Sequence, residues 1–329
     1  MSTSRVTLIP RGAILQALRV GPSSRNIVLN FNTAAEYAHN PAHFGATIGR
    51  VANRIHNAVV NVAGQQWALD VNDGKNTLHG GKMGWGTRAW EETEKGTFVL
   101  TSEHKDQGFP GEVKVKVIYT VMEGEGVGEQ GKTEVVMDYE VELVGGADET
   151  VVNMTNHSYF NLSGLPTIEG TIATLATNQH LPLDVAGIPI DTSAAPYPGI
   201  SASVPFTLGL TSPDVDDCFV FADTHSSPSS IPLDTRSLPL RTCATFSHPD
   251  TKIHLQVKST EPAFQFYTGK YVDIAEREDG TPARVPRAGF CVEPSRFVDA
   301  AARDEWKGMV TLKKGEVFGS RIVFTAWQE

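Results

Sequence analysis

The chain has 329 residues, 40% of them hydrophobic and 20% charged, the balance of a globular protein with ample material for a core. A formal net charge of −10 excludes the basic footprint that nucleic acid or an anionic membrane surface requires. Three cysteines, Cys218, Cys243 and Cys291, show no CxxC spacing and fit a reducing, cytoplasmic setting better than a disulfide framework.

In chain order, "MSTSRVTLIPRGAILQALRV" places an arginine and a proline ahead of any apolar stretch, so no secretory signal is read there. No later apolar run approaches the ~20 residues of a membrane span. "TAAEYAH" (33–39) predicts a short helix. "GATIGRVANRIHNA" (45–58) sets Arg50 and Arg54 one helical turn apart, or on one strand face, beside Asn53. "NTLHGG" (76–81) puts His79 before two glycines that leave backbone open to a ligand. "VKVKVIYTV" (113–121) and "KTEVVMDYEVELV" (132–144) alternate apolar and polar residues with period two, as half-buried antiparallel strands do. Between them "GVGEQG" (126–131) matches the dinucleotide-binding pattern G-x-G-x-x-G. A strand comes after it where that pattern needs a helix, so it reads as a hairpin loop.

"TNHSYFNLSG" (155–164), read as one strand, gathers Thr155, His157, Tyr159 and Asn161 on a single polar face. Sequons at Asn153, Asn156 and Asn161 crowd this strand, where a glycan has no room. "DVDDCFVF" (214–221) runs three acids into an apolar strand, and "GFCVEPSRF" (289–297) surrounds Glu293 with apolar neighbours. "KIHLQVK" (252–258) and "RIVFTAW" (321–327) are further period-two strands, with a helical turn or two in "DAAARDEW" (299–306). No linker or repeat divides residues 1–329, which read as one all-β domain. A chain of this length must stack large antiparallel sheets as a barrel or an oversized sandwich, with few short helices.

Each polar residue taken alone has a structural reading. Arg54 can be half of an ion pair, His79 a turn residue, Asp216 or Asp217 a cap, and Glu293 the partner of Arg296. Together they form two histidines, two carboxyl groups, an arginine and several amides, with no metal-binding triad by spacing and no serine or cysteine nucleophile set. That inventory suits proton transfer on a neutral polyol.

"FGATIGRVANRI", "LHGG", "GFPGEVKVKVIYTV", "NHSYFNLSG", "FQFYTGKY" and "GFCVEPSRFVDA", in this order, resemble the aldose 1-epimerase (galactose mutarotase) family. The similarity runs from about residue 27 to the C-terminus. It implies a large antiparallel β-supersandwich and interconversion of α and β anomers of free hexoses, without cofactor or metal. The implied general acid is His157 and the general base Glu293. Asn53, Arg54, His79, Tyr159, Asp216 and Gln265 are the implied sugar-binding set, Phe219 selecting Asp216 over Asp217. Many members read "ETQxxPDA" where this chain reads "EPSRFVDA", which keeps the glutamate and alters the residues after it. The expected partner is a small aldose, with no nucleic acid or membrane, and the expected assembly a monomer or homodimer. A hexose 6-phosphate epimerase, a non-catalytic sugar binder and an isomerase of another hemiacetal are the competing readings. Asp216, if near His157, would help keep the imidazolium charged and lift its pKa above the usual ~6.5.

Overall fold

The computed structural model describes residues 5–124 and 131–329. Nine strands form one sheet, in which the period-two segments become the long strands Glu112–Glu123, Thr133–Gly145, Ile253–Ser259 and Val317–Gln328. Their pairings are antiparallel, and the register sets Val115 opposite Val141 and Val117 opposite Tyr139. These four side chains are fully buried, while Lys114 and Glu142 on the other face are exposed. The apolar period of each strand thus faces a single core.

A second sheet of six strands packs over that core, ordered Tyr159–Phe160, Phe290–Ser295, Ala263–Tyr267, Asp216–Val220, Gln179–His180, Ala195–Pro196. Aromatic rings join the two layers: Phe246 of the large sheet stacks on Phe290 at 4.2 Å between centroids, and Phe324 meets Phe160 at 5.0 Å. Phe290 and Val292 therefore point into the core. By alternation Cys291 and Glu293 point to the opposite face. That second face is also covered, since Phe290–Ser295 is buried at every position.

The helical segments are short. "TAAEYAH" yields the 3-10 turn Ala34–Ala38 and "DAAARDEW" the turn Ala300–Ala302. A five-residue α-helix, Ala222–Ser226, had no clear sequence signal. Among the described residues no helix is long and apolar enough to cross a membrane. The "GVGEQG" loop lies outside the described residues except for Gly131, but the strands flanking it pair antiparallel, with Glu123 opposite Thr133.

One expected strand is broken in two. Thr155–His157 pairs with Ala46–Ile48, whereas Tyr159–Phe160 belongs to the six-stranded sheet. The break lies at Ser158, whose backbone N–H and hydroxyl both donate to Asn156 Oδ1, at 3.0 and 2.6 Å. A side chain that captures the backbone two residues on competes with the strand ladder, and here the chain steps from one sheet to the other. Asn153 and Asn156 are buried and hydrogen-bonded, so neither is open to a glycan.

Candidate active site

Two small pairings bring the site's loops to the covered face of the six-stranded sheet. In the first, His157 sits opposite Ala46, and Gly45 N–H donates to the His157 carbonyl at 3.0 Å. In the second, Arg54–Ile55 pairs with Thr77–Leu78, so Asn53 and His79 meet just past its end. His79 N–H donates to the Asn53 carbonyl at 3.1 Å, and Asn53 N–H donates to His79 Nδ1 at 3.2 Å. The second bond fixes the tautomer: a neutral ring that accepts at Nδ1 carries its proton on Nε2 and is a donor there. Both residues adopt left-handed φ, 60° for Asn53 and 53° for His79, a conformation that marks a constrained turn.

The glycines of "LHGG" serve packing rather than ligand approach. A Cβ on Gly80 would lie 2.2 Å from the Gly49 carbonyl oxygen, and one on Gly81 would lie 2.9 Å from Gln107 Oε1. The space that glycine opens is filled by the protein's own chain. Arg50, read from sequence alongside Arg54, turns inward instead and donates to the Pro110 and Gly111 carbonyls at 2.8 Å each.

The six-stranded sheet supplies the remaining groups in register. Gln265 lies opposite Glu293, Cys291 lies between Tyr159 and Tyr267, and Asp216 lies opposite Tyr267. Glu293 Oε1 is 3.6 Å from His157 Nε2, and the two side chains are each only 6% exposed. The His157 ring lies 5.1 Å from that of His79 and 5.0 Å from that of Tyr159. Gln265 Nε2 donates to Asp216 Oδ1 at 2.8 Å, while Gln265 Oε1 is buried without a protein partner among the described residues. Arg296, the sequence candidate for pairing with Glu293, instead binds Glu261 and leaves Glu293 to His157.

Arg54 and Asp216 line a cleft of about 810 Å³, with Asp73, Asp184, Gly187 and Tyr271 among its other walls. Arg54 Nε donates to Asp73 Oδ2 at 2.7 Å, and its two terminal nitrogens have no protein partner among the described residues. The structure thus brings His157, Glu293, His79, Tyr159, Asp216 and Gln265 together, with Arg54 on the cleft wall. Asn53 stands apart in one respect. Its Oδ1 is engaged by Arg54 N–H at 2.8 Å and holds the turn. Asp217 is engaged elsewhere, bonded to His180 Nδ1 at 3.0 Å, whereas Asp216 accepts from Gln265.

Sequence reasoning missed two neighbours. Cys291 Sγ lies 3.6 Å from His157 Nδ1. The His43 ring lies 5.8 Å from that of His157 and 5.1 Å from that of His79. The Cys291 contact follows from alternation once Glu293 is placed on its strand, but His43 sits in an irregular loop with no periodic signal. The fold also gathers donors that spacing kept apart: one ligand atom each from His79, His157 and Glu293 lie within 4.8 Å of one another. Because His79 already accepts at Nδ1 and bears its proton on Nε2, it has no free lone pair to give a cation.

Burial reverses the expected charges. It pushes His157 down to about 3, with the neighbouring His43 adding to the effect. Burial also raises Glu293 well above the usual carboxylate range, and Asp216 raises it further. Asp216 therefore acts on the carboxyl and not, as its sequence position led us to expect, in support of a charged imidazole. His79 and His43 are likewise pushed down by burial, His43 to about 4. Burial thus favours the uncharged form of the imidazoles and of the Glu293 carboxyl alike.

A family profile described as Aldose 1-epimerase matches residues 2–325. The chain belongs to the aldose 1-epimerase family. The bifunctional protein GAL10 of Pachysolen tannophilus is 37% identical over 97% of the chain, yet the chain spans only 45% of that relative's length. Galactose mutarotase of Sus scrofa is 32% identical over 97% of this chain and 90% of its own. Among solved structures, a GalM/aldose epimerase homologue from C. elegans superposes with a TM-score of 0.82 at 24% identity, covering 98% of this chain and 95% of its own. Galactose 1-epimerase from Lactobacillus acidophilus superposes with a TM-score of 0.75 at 21% identity, over 98% of this chain and 91% of its own. The face-to-face sheets are thus the aldose 1-epimerase fold.

Proposed function

We propose that the chain interconverts the α and β anomers of free hexoses such as galactose or glucose. The observation that carries this reading is the buried His157–Glu293 pair, 3.6 Å apart, linked to the cleft through Gln265, which lies opposite Glu293 and donates to Asp216 on the cleft wall. Anomer exchange needs a proton removed from O1 while one is added to the ring oxygen. The C1–O5 bond breaks, C1 becomes an aldehyde, the C1–C2 bond rotates, and the ring recloses on the other face. A pair sharing one proton can do both tasks. In its ion-pair tautomer Glu293 takes the O1 proton and His157 delivers to O5, and reclosure runs the transfers backwards, so each turnover restores the pair. His79 Nε2–H, the free Arg54 nitrogens and the unpartnered Gln265 Oε1 offer donors and an acceptor to sugar oxygens and hydroxyls.

The cleft's charge favours a free sugar over a hexose 6-phosphate. Its lining sets Asp73, Asp184 and Asp216 against Arg54 and Lys75, with Arg54 already paired to Asp73. A dianionic phosphate would meet net repulsion there. A sugar-binding module would need no matched acid and base. Polarimetry on freshly dissolved α-galactose and α-glucose tests the reading: the chain should speed relaxation to the anomeric mixture, saturably. Acceleration confined to glucose 6-phosphate, or none on any aldose, would refute it. We also place the chain in a reducing compartment such as the cytoplasm, a reading supported by three free, buried cysteines.

The pKa directions set the expected pH dependence. As pH rises, the imidazole, pushed down to about 3, loses its proton before the carboxyl, pushed up, loses its own. The one-proton form of the pair fills the interval between, and it is the active form in either tautomer. We therefore expect kcat/KM to show no acid limb in the range where a free histidine titrates, and its one limb above that of His157 to be a fall as pH rises and Glu293 ionises. A tenfold loss between pH ~6.5 and ~5.5 would contradict this. Asp216→Asn removes a charge that raises Glu293, so it should move the falling limb to lower pH as well as weaken sugar binding. An unmoved limb would restrict Asp216 to hydroxyl contacts.

Treatment with EDTA should leave activity unchanged, because the His79 tautomer denies a cation its third ligand. Activity lost in EDTA and restored by Zn²⁺ would show that His79 turns its ring to ligate.

A further inference from the structure

His43 is the imidazole of the cluster for which the acid–base scheme has no use. The loop 40–45 holds it firmly. His43 N–H donates to the Asn40 carbonyl at 3.1 Å, Phe44 N–H donates to Asn40 Oδ1 at 2.9 Å, and Ala46 N–H donates to the His43 carbonyl at 3.0 Å. The residue is held at φ 57°, in the left-handed region that a non-glycine residue occupies at a cost. Its ring packs edge-on against His79, at 69° between planes, and leans over His157 at 41°. Neither ring nitrogen has a hydrogen-bond partner among the described residues. The other two imidazoles differ, since His79 accepts from Asn53 N–H and His157 is flanked by Cys291 Sγ and Glu293.

A neutral imidazole presents one N–H donor and one lone pair. A sugar hydroxyl also donates and accepts, so the two are complementary. Packing alone would be served as well by a phenyl ring, which does not leave two polar atoms beside a site. We propose that His43 is a specificity-determining residue, an imidazole edge that hydrogen-bonds one hydroxyl of the bound aldose. This rests on the anomer-exchange reading. The contact acts on binding and orientation, and the proton transfers remain with His157 and Glu293.

The test is a cycle between variant and substrate, read by polarimetry on galactose and on its 2-deoxy and 6-deoxy derivatives, with xylose as the sugar lacking C6 altogether. His43→Phe keeps a ring against His79 and His157 and removes both nitrogens. We expect kcat/KM on galactose to fall about tenfold, the usual loss when a buried hydrogen-bonding group loses its partner. The fall should disappear on whichever sugars lack the contacted hydroxyl, where wild type and variant converge. Those are both 6-deoxygalactose and xylose if it is O6, 2-deoxygalactose if it is O2, and the 3-deoxy or 4-deoxy derivative, added to the series, if it is O3 or O4. A variant within threefold of wild type on every sugar, or slowed by the same factor on all of them, would overturn the proposal. If His43→Phe does not fold, His43→Ala replaces it in the same series, because it too removes both ring nitrogens and puts no larger side chain into the loop. A wild-type chain inactive on all these sugars would instead overturn the anomer-exchange reading, and this proposal with it.

Discussion

Glu293→Gln should lower kcat for anomer exchange by about 10²–10⁴-fold while leaving the melting temperature nearly unchanged. The two expectations have one cause. Burial raises Glu293 well above the usual carboxylate range, so a neutral amide of the same shape replaces a group whose neutral form is already favoured. What the amide cannot do is take the O1 proton. His157→Gln should cost a similar factor, since it removes the group that delivers to the ring oxygen. His157→Ala should lose activity too, and because it also deletes a ring packed 5.0 Å from Tyr159 and 5.1 Å from His79, it should lower the melting temperature as well. Because the two residues exchange a single proton, the double variant should lose little more than the worse single one. Polarimetric kcat together with thermal melts checks all three. A single variant keeping more than a tenth of wild-type kcat would remove that residue from the proposed pair.

How much of this was legible in the sequence depends on which physical signal each feature leaves. The long strands were legible because burying one face forces period two, and Val113, Val115 and Val117 have no other reason to alternate with lysines. The break at Ser158 was not, since it depends on Asn156 turning its side chain onto the backbone. Glu293 and His157 were singled out through motifs, and alternation accounts for Glu293 lying on the face of its strand opposite the core side chains Phe290 and Val292. Their charge states were misjudged. The apolar neighbours in "GFCVEPSRF" indicated a buried glutamate, but how far burial and Asp216 push its pKa depends on residues distant in sequence. His43 left no periodic or motif signal at all, because irregular loops are specified by their own hydrogen bonds. The glycines of "LHGG" were read as leaving backbone open to a ligand, whereas the Gly49 backbone crowds Gly80 and the Gln107 side chain crowds Gly81.

The same strand that carries Glu293 is held by a buried ion pair, and breaking it should have the largest effect on stability. Arg296 Nη1 lies 2.5 Å from Glu261 Oε2, and both side chains are fully buried. Arg296 also donates to the Leu233 and Met309 carbonyls at 2.9 and 3.2 Å, so its guanidinium closes several gaps at once. Glu261→Gln would leave that cation in the core without its countercharge, and we expect unfolding in urea to come about 3–5 kcal/mol sooner. Replacing both partners with methionine should recover part of the loss, since no charge is then stranded, though the freed carbonyls keep the double variant below wild type. The consequence for activity comes through the backbone. Arg296 N–H donates to Asn153 Oδ1 at 2.9 Å, tying the end of the Glu293 strand to the segment that leads to His157. If the ion pair sets that junction, Glu261→Gln should lower kcat at temperatures well below its own melting point, because a 3.6 Å acid–base separation tolerates little displacement. Full wild-type kcat in a variant destabilised by this amount would show that the junction holds without the charge, and that the pair serves stability alone.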